Sequence, residues 1–202
     1  MKRILFVLAL LGLVLPIVAS ADSINLTNQF GTVTITASGI TSKGSELMSF
    51  NGIQPTKNHS LGSVSFATGI LNSGSLWTGG TFSDAGSSFV VIGVGKWGEP
   101  KGSIFDGSFV GPIEWTLLSS NKQFHEYQLT GAISGQSYLG RTLTGNTTQT
   151  IYTYWNQEIV DHKGNIKLGT SHLATPEPST LGLLGTGLVV LAGMVRRKPF
   201  RS

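Results

Sequence analysis

The chain has 202 residues, of which 12% are charged, 27 are glycine and none is cysteine. The absence of cysteine excludes disulfides, zinc–thiolate sites and thiol nucleophiles. The formal net charge is +4, but the two ends carry +5 of it, so residues 22–175 carry −1. Residues 22–175 have roughly the length of one domain. Because they are nearly neutral, they produce no electrostatic field that could hold the phosphate backbone of a nucleic acid. We therefore expect no nucleic-acid partner.

The N-terminus has the three parts of a secretory signal peptide. Lys2 and Arg3 form a short positive region, and the run from Ile4 to Val18 is apolar. Ala19 and Ala21 are the small residues that a signal peptidase reads, which predicts cleavage after Ala21. Residues 1–21 are therefore interpreted as a signal peptide, and signal peptidase is an expected partner.

Residues 22–174 alternate short strand patterns with turn residues, which predicts a β-rich extracytoplasmic domain. No sustained helical period with caps occurs there. The pattern predicts an all-β antiparallel sandwich or jelly roll of roughly 8–12 strands. The turns are expected at these dipeptides: Ser38-Gly39, Asn51-Gly52, Ser73-Gly74, Gly79-Gly80, Asp106-Gly107, Ser134-Gly135 and Gly145-Asn146.

Five segments carry the clearest strand patterns. Residues 32–36 alternate Thr with Val and Ile, and residues 113–118 and 125–130 alternate apolar with polar side chains. Residues 151–155 are β-branched or aromatic throughout. Residues 89–94 are apolar on both faces, which predicts a fully buried strand.

The acidic and histidine residues of the domain form no recognisable catalytic or metal-binding pattern. Glu114 and Glu126 are the pair that could meet across adjacent strands, and a glycosidase needs two carboxylates roughly 5–10 Å apart. The four histidines share no metal-ligand spacing, and no Gly-x-Ser-x-Gly motif is present. The sequence therefore predicts no catalytic residue, no metal, no cofactor and no enzyme.

Tryptophans are the best candidates for ligand contact. Trp97 lies in the loop sequence of residues 95–100, and Trp77 precedes Gly79-Gly80, so either indole could stack on a sugar ring. Packing against the core is the alternative for both. Trp115 and Trp155 lie in strong strand patterns and are predicted to be core residues.

The C-terminus combines a proline motif, a short apolar run and a basic tail. Pro176, Glu177 and Pro178 precede fifteen apolar or small residues, 181–195, and Arg196, Arg197 and Lys198 follow. Fifteen residues make roughly 22 Å of helix, against a hydrocarbon thickness of about 30 Å. Residues 180–195 are therefore predicted to form a short transmembrane helix whose basic end stays cytoplasmic.

The segment 175–198 resembles the PEP-CTERM sorting signal, whose region is also labelled an ice-binding protein C-terminal domain, a label that says nothing about ice. By the family pattern, Pro176, Glu177 and Pro178 form the recognition element, and Arg196, Arg197 and Lys198 determine the topology. The resemblance implies cleavage near the motif by an exosortase, a membrane enzyme of Gram-negative bacteria that make exopolysaccharide.

Together these features predict an exported, non-enzymatic cell-surface or exopolysaccharide-matrix protein. It would lie in the inner membrane in transit and then in the cell envelope or extracellular matrix. Exopolysaccharide is a candidate partner. A lectin-like carbohydrate-binding module is the alternative, and a glycan-processing enzyme is the third hypothesis.

Overall fold

The computed structural model describes residues 22–56, 59–154 and 162–176, and the described residues form ten antiparallel β-strands. The prediction of an all-β antiparallel fold is confirmed. The strands are β1 (Ser23–Thr36), β2 (Gly39–Phe50), β3 (Gly62–Ala67), β4 (Leu71–Ser75), β5 (Gly79–Phe82), β6 (Ser88–Val94), β7 (Lys101–Ser120), β8 (Phe124–Ser137), β9 (Thr142–Tyr154) and β10 (His162–Ala174).

Eight of these strands close into a barrel, in the order β1-β2-β3-β6-β7-β8-β9-β10 and back to β1. The long strand β7 makes closure possible, because it pairs with β8 along one edge and with β6 along the first part of the other. The β4–β5 hairpin pairs with the later part of that second edge. The sandwich or jelly roll expected from the sequence is corrected to a closed barrel. The sequence pattern does not distinguish these folds, because side chains alternate inward and outward whether or not a sheet's edges meet.

The core lies inside the barrel and is built from alternate residues of every long strand. Val33 and Ile35 of β1 point inward between half-buried or exposed threonines, as predicted for residues 32–36. On β7, Ile113 and Trp115 are buried while Glu114 and Thr116 are exposed, which confirms that alternation. The prediction that Trp115 belongs to the core is confirmed, and Trp155 lies outside the described residues.

The prediction that residues 89–94 form a fully buried strand is wrong for one face. Phe89 and Val91 of β6 are buried, but Ile92 is 46% and Val94 is 40% exposed. A single-layer barrel gives each strand one face toward the core and one toward the outside. The apolar outer face of β6 is therefore exposed.

Several dipeptides expected to mark turns lie inside strands. Ser38-Gly39 and Asn51-Gly52 do fall at turns, between β1 and β2 and after β2. Gly107 and Gly135, in contrast, are directly paired partners within β7 and β8. A Cβ atom on Gly107 would meet the Ser134 carbonyl oxygen and the Gly135 Cα, so these glycines let two backbones approach closely. The dipeptides at 73–74, 79–80 and 145–146 likewise lie within β4, β5 and β9.

A buried polar cluster lies within the barrel beside the apolar core. The Asn28 amide donates to Ser45 Oγ at 2.7 Å and to Gln149 Oε1 at 3.0 Å. Gln149 Nε2 donates to Thr147 Oγ1 at 2.9 Å, and Ser171 Oγ donates to the same oxygen at 2.8 Å. Because these side chains bond to one another, their burial leaves the amide groups satisfied.

The β-domain is a compact unit that covers Asp22–Thr175. Within residues 22–56, 59–154 and 162–176, no helix meets the length and hydropathy needed to cross a bilayer. The predicted signal peptide, residues 1–21, and the predicted transmembrane helix, residues 180–195, lie outside the described residues.

Candidate functional sites at the tail-bearing end and the tryptophan turns

The two chain ends of the barrel lie side by side. Ser23 at the start of β1 is the register partner of Ala174 at the end of β10. The Thr175 amide donates to the Asp22 carbonyl at 2.9 Å, and Arg141 forms a 2.8 Å salt bridge with the Asp22 carboxylate. The chain therefore enters and leaves the barrel at the same end, on adjacent strands.

We call this end of the barrel the tail-bearing end, and the opposite one the far end. Since β-strands alternate in direction around the barrel, every second connection reaches the tail-bearing end. It consists of the chain ends and the segments 50–56, 59–62, 94–101 and 137–142. Among the described residues, the far end includes the turns 36–39, 82–88 and 120–124 and the segment 67–71.

Two segments of the tail-bearing end are held by contacts with the barrel strands. Tyr138 packs edge-to-face on Phe50 with ring centroids 6.4 Å apart, and its amide donates to the Ile104 carbonyl at 2.8 Å. Asn51 ties the turn after β2 to β1, because its side-chain oxygen accepts from the Asn25 amide at 2.8 Å. These contacts tie the β8–β9 turn to β2 and β7, and the turn after β2 to β1.

Trp97 lies on the turn between β6 and β7, and the Glu99 carboxylate holds that turn. Glu99 Oε2 accepts from the Trp97 amide and Oε1 from the Lys96 amide, each at 2.9 Å. Burial raises the pKa of Glu99, but the N–H groups of residues 95–97 and its own amide outweigh this, so the net pKa lies below its ordinary value of 4.5. The carboxylate is therefore a structural anion that fixes the backbone beneath the indole.

The Trp97 indole is half-buried and packs against the core cluster. The His59 ring meets it edge-on, with centroids 5.6 Å apart. The structure therefore places this indole at the rim of the tail-bearing end, with one part in contact with the core and one part open.

Trp77 lies at the tip of the β4–β5 hairpin, which folds over the far half of β7 and β8. The Trp77 carbonyl accepts from the Tyr127 hydroxyl at 3.1 Å, and the neighbouring Leu76 carbonyl accepts from Trp115 Nε1 at 3.0 Å. Two buried aromatic side chains thus hold the hairpin by its backbone.

The Trp77 side chain belongs to an aromatic cluster. Its ring lies 5.5 Å from that of the buried His125, and the Trp115 and Tyr127 rings stack at 4.4 Å with an interplanar angle of 13°. Burial raises the pKa of Tyr127 above its ordinary value of 10.0, so its hydroxyl remains a donor at neutral pH. Half-buried Trp77 is therefore in part a packing residue.

The two glutamates considered as a catalytic pair are separated along the sheet. Glu114 is paired with Thr130, whereas Glu126 is paired with Ser119. Four residues along β8 correspond to roughly 13 Å, beyond the spacing of a glycosidase pair. Glu126 instead forms a 3.0 Å salt bridge with Lys167. Among the described residues, no group of three or more His, Asp or Glu could hold a metal ion.

Lys167 lies at a register shift in β10 and reaches across β9 on the outer surface. Its ammonium lies 4.8 Å from the centroid of the Tyr152 ring, between that ring and Glu126. The hydrogen bonds to Tyr152 and then to Glu126 raise the pKa of Lys167 above its ordinary value. The Lys167 charge is therefore already paired with Glu126 and Tyr152 on the surface of the barrel.

A row of hydroxyl side chains crosses the outer face of five neighbouring strands. Its members are half-buried register partners, and they are Thr130, Thr148, Thr170, Thr27 and Ser49. Thr27 and Ser49 are joined by a 2.8 Å hydrogen bond between their hydroxyls. The row itself is uncharged and able to hydrogen-bond.

Most residues of the predicted sorting and processing sites lie outside the described residues. Only Pro176 is described, and it is exposed directly after the barrel. The others, which lie outside the described residues, are Ala19, Ala21, Glu177, Pro178, Arg196, Arg197 and Lys198.

Sequence reasoning missed Glu99 as the anchor of the Trp97 turn, although its place in the same Gly-rich loop was a usable signal. The Asp22–Arg141 salt bridge joins residues distant in sequence and had no local signal.

A family model described as the PEP-CTERM protein-sorting motif matches residues 174–198. This confirms the resemblance found in the sequence, and the match begins at the last residue of β10. Neither the search of curated proteins nor the search of solved structures found a match.

The fold and this segment define a β-barrel domain that carries a sorting tail. The tail is the PEP-CTERM signal, which implies export, membrane transit and recognition by exosortase on the way to the cell surface.

Proposed function

We propose that the protein is an exported, non-enzymatic component of the cell surface or of the exopolysaccharide matrix, released from the inner membrane by cleavage near Pro176-Glu177-Pro178. The observation that carries this proposal is that the sorting motif starts where the barrel ends, at Ala174. Pro176 is exposed there, so an enzyme can reach the chain at this point without unfolding β10.

Two features of the barrel support a passive role. Glu114 and Glu126 lie too far apart along the sheet to act on one glycosidic bond, and Glu126 is bound to Lys167. The row of hydroxyls on the outer face offers hydrogen bonds without charge. Such a surface suits a hydrated polysaccharide layer, because it can exchange its hydrogen bonds with water and sugar hydroxyls alike.

The second candidate function is carbohydrate binding through Trp97. The observation in its favour is that the half-buried indole sits on a backbone fixed by Glu99, so a sugar ring could stack without ordering the turn first. Trp77 is the other candidate, although its ring already packs beside His125.

Binding is tested by tryptophan fluorescence of the protein titrated with purified exopolysaccharide. A carbohydrate-binding module gives a saturable shift that Trp97→Ala or Trp77→Ala abolishes, whereas a passive matrix component gives none. Turnover of the polysaccharide that is lost in Glu114→Gln or Glu126→Gln would favour an enzyme instead.

The sorting proposal is tested by replacing Pro176, Glu177 and Pro178 with alanine in the producing cell. We expect full-length protein to accumulate in the inner membrane. The matched control replaces Ser179 and Thr180 with alanine, which changes the same segment outside the motif and should leave release intact.

Mass spectrometry of the mature protein then reads its C-terminus directly. A terminus near residue 176 supports processing at the motif. Released protein that still carries residues 181–202, or unchanged release of the triple variant, contradicts the proposal.

A further inference from the structure

We propose that the tail-bearing end of the barrel rests on the lipid bilayer while the chain is anchored, with the Tyr138-Leu139 turn as its main contact. This inference rests on the proposed function, since it concerns the anchored form. It assigns a lipid surface as the partner of one defined end of the barrel.

The length of chain between the barrel and the apolar run limits their separation. The last strand ends at Ala174 and the apolar run begins at Leu181, which leaves the six residues 175–180 between them. Seven fully extended Cα–Cα steps, from Ala174 to Leu181, span at most about 25 Å. An anchored chain therefore holds the tail-bearing end within about 25 Å of the bilayer.

The side chains exposed at this end are of the kinds found at membrane interfaces. Tyr138 is 46% and Leu139 is 53% exposed at the tip of the β8–β9 turn. Ile92 and Val94 add apolar surface at the nearby end of β6, and Trp97 lies on the next turn. Tyrosine and tryptophan favour the headgroup region, and aliphatic side chains favour the layer beneath it.

The Tyr138-Leu139 turn is held in a fixed conformation. The Ser137 amide donates to the Arg141 carbonyl at 2.9 Å, and the Gly140 amide donates to the Ser137 carbonyl at 2.8 Å. Together with the contact of Tyr138 on Phe50, these bonds present the two side chains without further ordering. A surface that is already ordered loses little conformational entropy on binding.

Cationic side chains accompany the apolar ones. Lys96 and Lys101 are exposed on the turn that carries Trp97. Within the described part of the chain, the salt bridges join Arg141 to Asp22 and Lys167 to Glu126, so neither of these lysines takes part in one. Lysine side chains close to an anionic lipid surface are attracted to it.

Exposed apolar side chains also occur elsewhere, so exposure alone does not select this end. Leu118, close to the far end of β7, is 49% exposed, nearly the same as Leu139. What distinguishes Leu139 is its position beside the chain exits and the lysines. The two leucines therefore form a matched pair for an experiment, roughly 35 Å apart along β8.

The experiment uses the absence of cysteine from the chain. Leu139→Cys and Leu118→Cys are made singly in the chain that starts at Asp22, the product expected after cleavage of the signal peptide, and labelled with a polarity-sensitive fluorophore. The protein is reconstituted into phosphatidylethanolamine–phosphatidylglycerol vesicles that contain spin-labelled lipid, and flotation establishes how much is bound. We expect quenching at position 139 to exceed that at position 118 several-fold, with a blue-shifted emission at 139 only. A polar maleimide should also modify the unlabelled thiol at position 139 more slowly than the one at position 118.

The outcomes separate this inference from the sorting proposal. If the chain floats with the vesicles but position 139 is quenched no more than position 118, the bilayer contact is wrong and anchoring stands. If the chain does not float, anchoring by the tail fails and this inference fails with it. Stronger quenching at position 118 would reverse the assigned orientation.

Discussion

Asn28 and Gln149 exchange hydrogen bonds across the strand that separates them. Asn28 Nδ2 donates to Gln149 Oε1 at 3.0 Å, and Gln149 Nε2 donates to Asn28 Oδ1 at 3.3 Å. Between their strands lies β10, where Gly169 is the register partner of both. Because glycine has no side chain, the two amides meet above its Cα and link β1 to β9 inside the barrel.

Gly169→Ala should disrupt this link. A Cβ atom at position 169 would meet Asn28 Oδ1 and Gln149 Oε1, so the two amides must separate inside a closed space. We expect a loss of about 2–4 kcal/mol in the free energy of unfolding, from overpacking and broken buried hydrogen bonds. Urea unfolding followed by tryptophan fluorescence measures it. Thr170→Ala, the outward neighbour, should cost less than about 1 kcal/mol, and an equal loss in both would contradict the explanation.

Asn28→Leu and Gln149→Leu test the coupling between the two amides. Each single variant leaves one buried amide without its partner, at about 1–3 kcal/mol. In the double variant neither amide remains, so the loss should be smaller than the sum of the two single losses. The same unfolding measurement gives all three values. Strict additivity would show that the amides act independently.

Glu99→Gln should loosen the Trp97 turn. A neutral amide has one acceptor oxygen for the two N–H groups that the carboxylate now satisfies, and we expect a loss of about 1–2 kcal/mol in the free energy of unfolding. The Trp97 emission should shift to longer wavelength. Gln128→Glu, on the outer face of β8, is a charge-changing control that should leave the emission unchanged.

The same carboxylate predicts a pH dependence. Its pKa is lower in the folded barrel than its ordinary value of 4.5, so the folded state favours the ionised form. The resulting stabilisation is complete above that value and is lost as the pH falls through the folded pKa. Unfolding measured between pH 7 and pH 3 should therefore show a stability difference between wild type and Glu99→Gln that shrinks at acid pH. A constant difference would argue against an ionised Glu99.

Tyr127→Phe should remove one of the two side-chain hydrogen bonds that hold the tip of the β4–β5 hairpin. The substitution removes the hydroxyl that donates to the Trp77 carbonyl but keeps the stacked ring, so we expect about 0.5–1.5 kcal/mol of destabilisation. Amide hydrogen exchange should accelerate in residues 75–80 more than in the barrel strands. Tyr154→Phe, at an exposed site, is the matched control and should change neither quantity.

The fold class and the inward residues could be predicted from local patterns because alternation has a fixed period of two. Ile113 and Trp115 follow from such a pattern, and both are buried. Closure could not be predicted in this way. It depends on the pairing of Ser23 with Ala174, a contact between the first and last strands of the domain, whose sequences carry no sign of one another.

The glycines were the second obstacle to prediction. Gly107 and Gly135 resemble turn residues in sequence, and the distinction between a turn and a close strand pair is made only by the partner strand. For the candidate sites, the sorting motif could be found because its recognition is local and linear. The environment of Trp77 could not, since Tyr127 and His125 reach it from strand β8.

The pairing of β1 with β10 also fixes when the domain can be completed. In a chain that is exported from its N-terminus, β1 emerges first and finds β2, but its other edge stays open until the last strand arrives. By then nearly the whole of residues 22–174 has been translocated, and the PEP-CTERM segment follows directly in the sequence. The open edge of β1 can pair with a strand of another chain, so the interval before β10 arrives is the time when this domain is exposed to aggregation.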